Sequence, residues 1–173
     1  MMFSSDFGTA RYQSDSGSGS GETGNSIGAS GGAVKDILAE KGGDIHTINT
    51  SHTVSEVVEM LNSFKIGALV VADENNRPIG IVSERDVVVG VGKEGLAIFD
   101  MKITAIMTAD PICCGPDARV YEVMQKMTNG RFRHMPVVDD GKLCGMISIG
   151  DVVRKRLMEL EFENEQMMAY MSG

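Results

Sequence analysis

The chain has no tryptophan, and its 173 residues include only three tyrosines and six phenylalanines. Large flat side chains therefore cannot dominate its core, and the thirteen methionines gain weight. Most of these fall at helical or strand positions, which assigns them to core packing rather than to a Met-rich binding groove. No apolar run approaches the length of a membrane span, so no membrane partner is expected. The N-terminus lacks the charged-then-apolar order of a secretory signal, so a reducing, cytoplasmic setting is the expectation. Met1–Arg11, with Ser, Phe and one Arg, has some organelle-targeting character, which leaves a mitochondrial or plastid matrix as the alternative. Asp6 and Asp15 weigh against that alternative.

Cysteine is scarce as well. Cys113 and Cys114 are adjacent, Cys144 stands alone, and no CxxC spacing offers zinc or redox chemistry. They read as small apolar fillers, with a Cys113–Cys114 vicinal disulfide as the remote option. Positive charge is short too: 16 Lys and Arg against 24 Asp and Glu leave a net charge of -8. A general nucleic-acid binder needs the opposite surplus, so no nucleic-acid partner is expected, whereas a small anionic ligand needs only a few basic residues. Of the catalytic signatures, HExxH and GxxxxGK[ST] are absent. His46 and His52 have no carboxylate or Cys at metal-ligand spacing, and Gly90-Val91-Gly92 reads as the end of a helix rather than a phosphate loop. Neither an enzyme nor a metal site is expected.

What the chain does have begins with punctuation. Residues 1–32 hold eight Gly and eight Ser, too little apolar surface to offset ordering, and read as a disordered tail or tag. A short amphipathic helix, Val34–Lys41, follows and is stopped by Gly42-Gly43, with a short strand around Ile45–Ile48 after it. Val54, Val57, Val58, Leu61 and Phe64 then keep helical spacing, and Thr53 with Glu56 has the spacing of a capping box. Ala68–Val71 reads as a buried strand, Asp73–Pro78 as a turn, Ile79–Val82 as a second strand, and Arg85 starts another helix. The same order then recurs: Val120, Val123, Met124 and Met127 on a helix, Met135–Val138 and Leu143–Ile149 as strands around Asp139-Asp140-Gly141, and a last helix from Asp151.

Val54 and Val120 set the offset at 66 residues, whereas Asp86 and Asp151 set it at 65, so the second hairpin turn is one residue shorter. Glu56/Glu122, Asp73/Asp139, Gly80/Gly145, Ser83/Ser148 and Asp86/Asp151 are identical pairs at these offsets. Apolar pairs recur by chance in any two such units; Gly, Ser and Asp at one shared spacing do not. The chain is an internal duplication. Its expected organisation is a first copy over 33–98, a second over 99–158 and a helical extension over 159–173. The fold class is α/β (α+β): each copy a small mixed sheet with two packed helices, the two paired about a pseudo-two-fold.

The chemistry sits in Gly80-Ile81-Val82-Ser83-Glu84-Arg85-Asp86 and Gly145-Met146-Ile147-Ser148-Ile149-Gly150-Asp151. Each ends a strand and opens a helix, where unpaired N–H groups and the helix dipole favour an anion. The Gly admits close approach, the Ser caps the helix or donates to a phosphate, and the Asp accepts two vicinal ribose hydroxyls. Capping alone also explains Ser and Asp at a helix start, and a single motif would be read that way. Duplication of the whole triplet shifts the balance.

This order of elements, with the strand ending in G-x-x-S-x-x-D, resembles the CBS domain, and two copies resemble the paired unit called a Bateman module. The likeness spans residues 34–158 and is strengthened by Arg131-Phe132-Arg133-His134-Met135-Pro136-Val137-Val138. It extends to small stand-alone two-CBS proteins, which begin with a helix like Val34–Lys41 and end in a long one like Asp151–Tyr170.

The resemblance implies two pseudo-symmetric clefts for AMP, ATP or NAD(H) in a non-catalytic sensor that acts through conformational change on a separate, unknown partner. Asp86 and Asp151 would hold ribose hydroxyls. Ser83, Arg85, Ser148, Arg131, Arg133 and His134 would face phosphates, and Thr50, Ile66, Gly67, Ala68, Ile81, Cys113, Met135, Pro136 and Met146 would line the clefts. Cys113 and Cys114 stand where a Thr is usual. Because the first copy has Lys65, Gly67 and Ala68 in place of Arg131, Arg133 and His134, the clefts are expected to be unequal. Two-CBS chains commonly form flat homodimers, and the spacing of Val153, Leu157 and Leu160 fits a helix packed on a second copy. The competing reading is a dimerisation scaffold without ligand sensing.

Overall fold

A computed structural model describes residues 32–42 and 45–172. The expected disordered tail, apart from Gly32, lies outside the described residues, as does Gly43 of the expected helix stop. The elements are α1 (Val34–Lys41), β1 (Thr47–Ile48), α2 (Val54–Phe64), β2 (Ala68–Ala72), β3 (Pro78–Ser83), α3 (Glu84–Glu94), β4 (Thr108–Ala109), α4 (Val120–Gly130), β5 (His134–Asp139), β6 (Lys142–Ser148) and α5 (Ile149–Met171). Two 3-10 turns, Gly95–Asp100 and Ile103–Ala105, join the halves.

Local chemistry sets these boundaries. Thr53 caps α2: its N–H donates to Glu56 Oε2 at 2.7 Å, while the Glu56 N–H donates to Thr53 Oγ1 at 3.3 Å. Both main helices end on a left-handed basic residue, Lys65 at φ 56° and Arg131 at φ 54°. In the first hairpin Asp73 Oδ1 accepts from the Asn75 and Arg77 N–H groups at 2.9 and 2.8 Å. The second hairpin is shorter because Asp140 (φ 46°) and Gly141 (φ 77°) both take positive φ, as a two-residue primed turn requires.

The first sheet has the order β1-β2-β3-β4, with β1 parallel to β2 and the other pairs antiparallel. The second pairs β5 with β6, and Cys114 bridges Val137 in parallel where Ile48 partners Val71 in the first. Each sheet carries its own core. Ile48, Val57, Leu61, Leu69, Val71, Val82 and Ile103 form one. The other gathers Val34, Ile37, Cys114, Val120, Val123, Met127, Met135, Val137, Ile147 and Val152.

Helix α1 thus precedes the first copy in sequence but packs into the core of the second. The backbone repeats this exchange symmetrically. Val34 N–H donates to Ala118 O and Val120 N–H to Gly32 O, each at 3.0 Å. In the other half Ile103 N–H donates to His52 O and Val54 N–H to Met101 O, also at 3.0 Å.

Three expectations need correction. Helix α3 runs through Gly90-Val91-Gly92 to Glu94, because Gly90 is a packing position. A Cβ there would lie 3.0 Å from Ile106 Cγ2 and 3.2 Å from Ile98 Cγ1. The methionines are divided: among the described residues Met127 and Met135 are fully buried and Met60, Met107 and Met124 pack against the cores, while Met101, Met158, Met167, Met168 and Met171 are exposed. Branched Val, Ile and Leu make up most of the two cores. Finally, α5 begins at Ile149 rather than Asp151, because Ser148 is its cap and Asp151 its third residue.

Candidate functional site

Both Gly-x-x-Ser-x-x-Asp motifs occupy a strand-to-helix junction, and both carboxylates cap their helix. Asp86 Oδ2 accepts from Ser83 N–H at 2.8 Å and from its hydroxyl at 2.6 Å. Asp151 Oδ2 does the same with Ser148 at 2.8 and 2.7 Å. The capping role is therefore real in both copies. It does not exhaust the carboxylates, since Oδ1 of each accepts no hydrogen bond from the described residues. One oxygen fixes the side chain and the other stays available to a hydroxyl donor.

The junctions are not electrostatically equal. Lys41, at the end of α1, places Nζ 3.0 Å from Asp151 Oδ2 and 3.3 Å from the Met146 carbonyl. Burial alone would raise the Asp151 pKa, but the Ser148 donors and Lys41 outweigh it and hold the carboxyl below its ordinary value. Among the described residues no cation pairs with Asp86. Sequence alone gives no signal for Lys41, because the partner of α1 lies more than a hundred residues away in the second copy.

The strand entrances of the two copies meet between these junctions. Glu84 N–H donates to Gly67 O at 3.1 Å, and its counterpart Ile149 donates to Arg133 O at 2.8 Å. Arg85 Nη1 reaches the Arg131 carbonyl at 3.4 Å, so a residue inside the first motif touches the second copy. The His134 imidazole lies over Gly67: a Cβ at Gly67 would sit 3.2 Å from His134 Cε1 and 3.3 Å from Nε2. Burial, then Lys41, lowers the His134 pKa from 6.5 despite the opposing Asp151 and Glu84 carboxylates. At neutral pH the ring is uncharged and would meet a phosphate as an N–H donor, with Arg131 and Arg133, both exposed, as the cations.

The remaining expected residues divide. Ile66, Gly67, Ile81 and Met146 are half-buried beside the junctions, whereas Ala68, Met135 and Pro136 are buried, Met135 within the second core. Thr50 lies in an exposed turn and matches Pro116 in register. The position equivalent to Cys113 is Thr47, because Ile48 and Cys114 hold matching places beside Val71 and Val137. All three cysteines are free. Burial pushes the Cys113 thiol up to about 11 and that of Cys114 to about 12, so neither is a nucleophile at neutral pH. Among the described residues no group of His, Cys, Asp and Glu is arranged to hold a metal ion, and no helix is long and apolar enough to cross a membrane. An open groove lined by Glu74, Asn75, Asn76, Arg77, Asp140 and Lys142 lies at the hairpin tips, away from both motifs.

The family profile of the CBS domain matches residues 34–92 and 103–157, one span for each copy. The chain belongs to the CBS domain family. It is 34% identical over 148 residues to the mitochondrial CBS domain-containing protein CBSX3 of Arabidopsis thaliana, covering 81% of this chain and 72% of that one. The crystal structure of a CBS-domain-containing protein of Agrobacterium tumefaciens is 40% identical, covers 72% of this chain and 99% of its own, and superposes with a TM-score of 0.70. A CBS domain protein of Pyrobaculum aerophilum, solved complexed with AMP, is 26% identical at a TM-score of 0.66, covering 76% of this chain and 98% of its own. The paired mixed sheets and exchanged segments are thus a tandem CBS fold.

Proposed function

We propose that this CBS pair is a non-catalytic sensor of adenosyl nucleotides, of the AMP, ATP or NAD(H) class, that transmits occupancy to a separate partner protein. One observation carries the reading: in both copies an Asp holds one oxygen on its Ser cap and leaves the other free, beside a strand entrance. That geometry suits a ribose diol, and Arg131, Arg133 and the neutral His134 suit the phosphate end. The AMP bound by the Pyrobaculum relative supports the ligand class. Among the described residues Oδ1 is free in both, but Lys41 already draws negative charge from the Asp151 carboxylate through Oδ2, which leaves Asp86 the stronger acceptor. Occupancy would bias the packing of the two copies, and signalling requires that the ligand favour one arrangement over another.

Calorimetric titration with AMP, ATP and NADH, alongside thermal unfolding with each, tests this. A nucleotide that binds raises the melting temperature by mass action. Arg133→Ala weakens the phosphorylated ligands if the assignment is correct. No binding by any adenosyl ligand sinks the reading and leaves the scaffold alternative, which the exposed apolar residues of α5 favour. Nucleotide turnover would contradict the non-catalytic assignment. A reducing compartment, either cytoplasm or an organelle matrix, fits the three free thiols.

A further inference from the structure

Helix α1 is fastened to the second copy in two different ways. Its first turn is built into that copy: Val34 and Ile37 lie in the core, and the Val34 and Lys35 N–H groups donate to Ala118 O and Pro116 O at 3.0 and 2.8 Å. Its last turn is held mainly by side chains at the surface. Helix α5 lays its polar side against α1, so that Glu159 Oε1 accepts the Gly32 N–H at 2.6 Å and Lys155 bonds Glu40, while Val153, Leu157 and Leu160 face out. Leu38 lies on Gly145, where a Cβ would sit 2.6 Å from Leu38 Cδ2. Lys41 Nζ then reaches both Asp151 Oδ2 and the Met146 carbonyl. With Glu40 57% and Lys41 45% exposed, these ion pairs hold the turn in place without fixing it firmly.

The first copy closes the matching place by backbone. Met107 covers Gly80 as Leu38 covers Gly145, and β4 pairs along β3, Ala109 with Gly80 and Thr108 with Ile81. In the second copy Met146, the counterpart of Ile81, has no third strand beside it among the described residues, and its carbonyl meets the Lys41 ammonium instead. The same ammonium gives Asp151 Oδ2 a third donor beside the Ser148 N–H and hydroxyl, whereas Asp86 Oδ2 has two among the described residues. Lys41 thus stands in the second cleft as a cation supplied by the chain itself, satisfying acceptors that a ligand would otherwise meet.

We propose that Lys41 sets the order in which the two clefts fill: the first fills freely, and the second takes an adenosyl ligand only as Lys41 and the last turn of α1 give way. This rests on the adenosyl reading above and supplies it with an element that moves. Gly42, at φ 80° and ψ 159°, puts a joint directly after Lys41 in a backbone region that favours glycine. Val34 and Ile37 stay seated in the core, so ligand entry loosens the stretch from Leu38 to Lys41 without unfolding the helix. Because the ligand must displace Lys41, its apparent affinity for the second cleft falls by the fraction of chains in which Lys41 is already out.

Calorimetric titration of the full chain with AMP, ATP and NADH, with hydrogen exchange of α1 followed alongside, is the test. The wild-type chain is expected to show one tight site and a second weaker by about tenfold or more, and Lys41→Met to tighten the weaker site about tenfold. Its far-UV spectrum and cooperative melt should match the wild type, showing that α1 stays seated. Asp86→Ala disables the first cleft, so Asp86→Ala/Lys41→Met should bind the nucleotide more tightly than Asp86→Ala alone. At saturating nucleotide the Leu38–Lys41 amides of the wild-type chain should exchange faster, while those of Val34 and Lys35 keep their protection. A Lys41→Met chain that binds more weakly makes Lys41 a ligand contact and overturns the proposal. Two sites of equal affinity in the wild-type chain, or no change on substitution, overturn it as well and leave the adenosyl reading standing. Binding of none of the three nucleotides by either chain removes that reading and this proposal together.

Discussion

The two copies of the motif share the bonds from Ser to Asp and differ most in what surrounds them. The bonds from Ser83 to Asp86 and from Ser148 to Asp151 agree within 0.1 Å, and the second copy adds the Asp151 N–H donating to Ser148 Oγ at 3.2 Å. Around the first, Gly67 and Ala68 contribute no charge; around the second stand Arg133, His134 and, from α1, Lys41. Duplication preserves a local device because its partners lie within four residues. The electrostatics diverge because they come from elements distant in the chain. Similar motifs therefore do not imply similar sites.

The largest expected effect tests whether α1 truly belongs to the second half. Ile37→Ala removes a buried side chain from that core and should cost about 3 kcal/mol, read as a fall in urea midpoint with unchanged slope. A loss below about 1 kcal/mol would mean that α1 only rests on the surface.

Next comes the contrast between the carboxylates. Asp86→Ala should weaken AMP binding tenfold or more (roughly 1.5–3 kcal/mol for a charged hydrogen bond), and Asp151→Ala less. Equal losses in calorimetry would make the clefts equivalent despite Lys41.

The pH dependence of stability isolates His134. Its folded pKa lies below the ordinary 6.5, so the unfolded chain takes up the proton first. Stability is then full above pH 6.5 and lost as pH falls from there through the folded value. His134→Gln should flatten that part of the curve, and an unchanged curve would place the titration elsewhere.

The smallest effect belongs to Lys41→Met. With the Lys41 side chain 45% exposed, its ion pair is worth under about 1 kcal/mol. Its clearer mark is on acid unfolding. Asp151 titrates below 3.8 in the folded state, so its stabilisation is complete above that value and lost as pH falls through the folded one. Removing Lys41 should move that loss to higher pH, seen by NMR titration of the Asp151 carboxyl.

Much of this architecture was legible in the sequence because it is local. Thr53 and Glu56 announced the start of α2, and the shortened second turn followed from the fall in repeat offset from 66 to 65. What stayed hidden depends on neighbours far along the chain. Gly90 looked like a helix end because nothing nearby shows that Ile98 and Ile106 press against it. Strand β4 has two residues and no periodicity to detect. The methionines of α5 keep the spacing of a core helix, and the reversal of its faces shows only when Glu159 is seen bonding Gly32. Within the site, the Ser–Asp caps could be read from their spacing, whereas Lys41 beside Asp151 and His134 over Gly67 could not.

The exchange of α1 and the Ile103 segment between halves also bears on how the chain folds. Val34 and Ile37 leave the ribosome before the rest of either core, yet the residues they pack against run from Cys114 to Val152. The closing contact spans most of the chain, and such long loops slow folding. The first half, meanwhile, needs Ile103 and Met101 to complete its own core and helix cap. Neither half is therefore a self-sufficient folding unit. A fragment ending near residue 98 would lack its own seal while leaving α1 without a seat, so the pair should acquire protection from hydrogen exchange in a single late step.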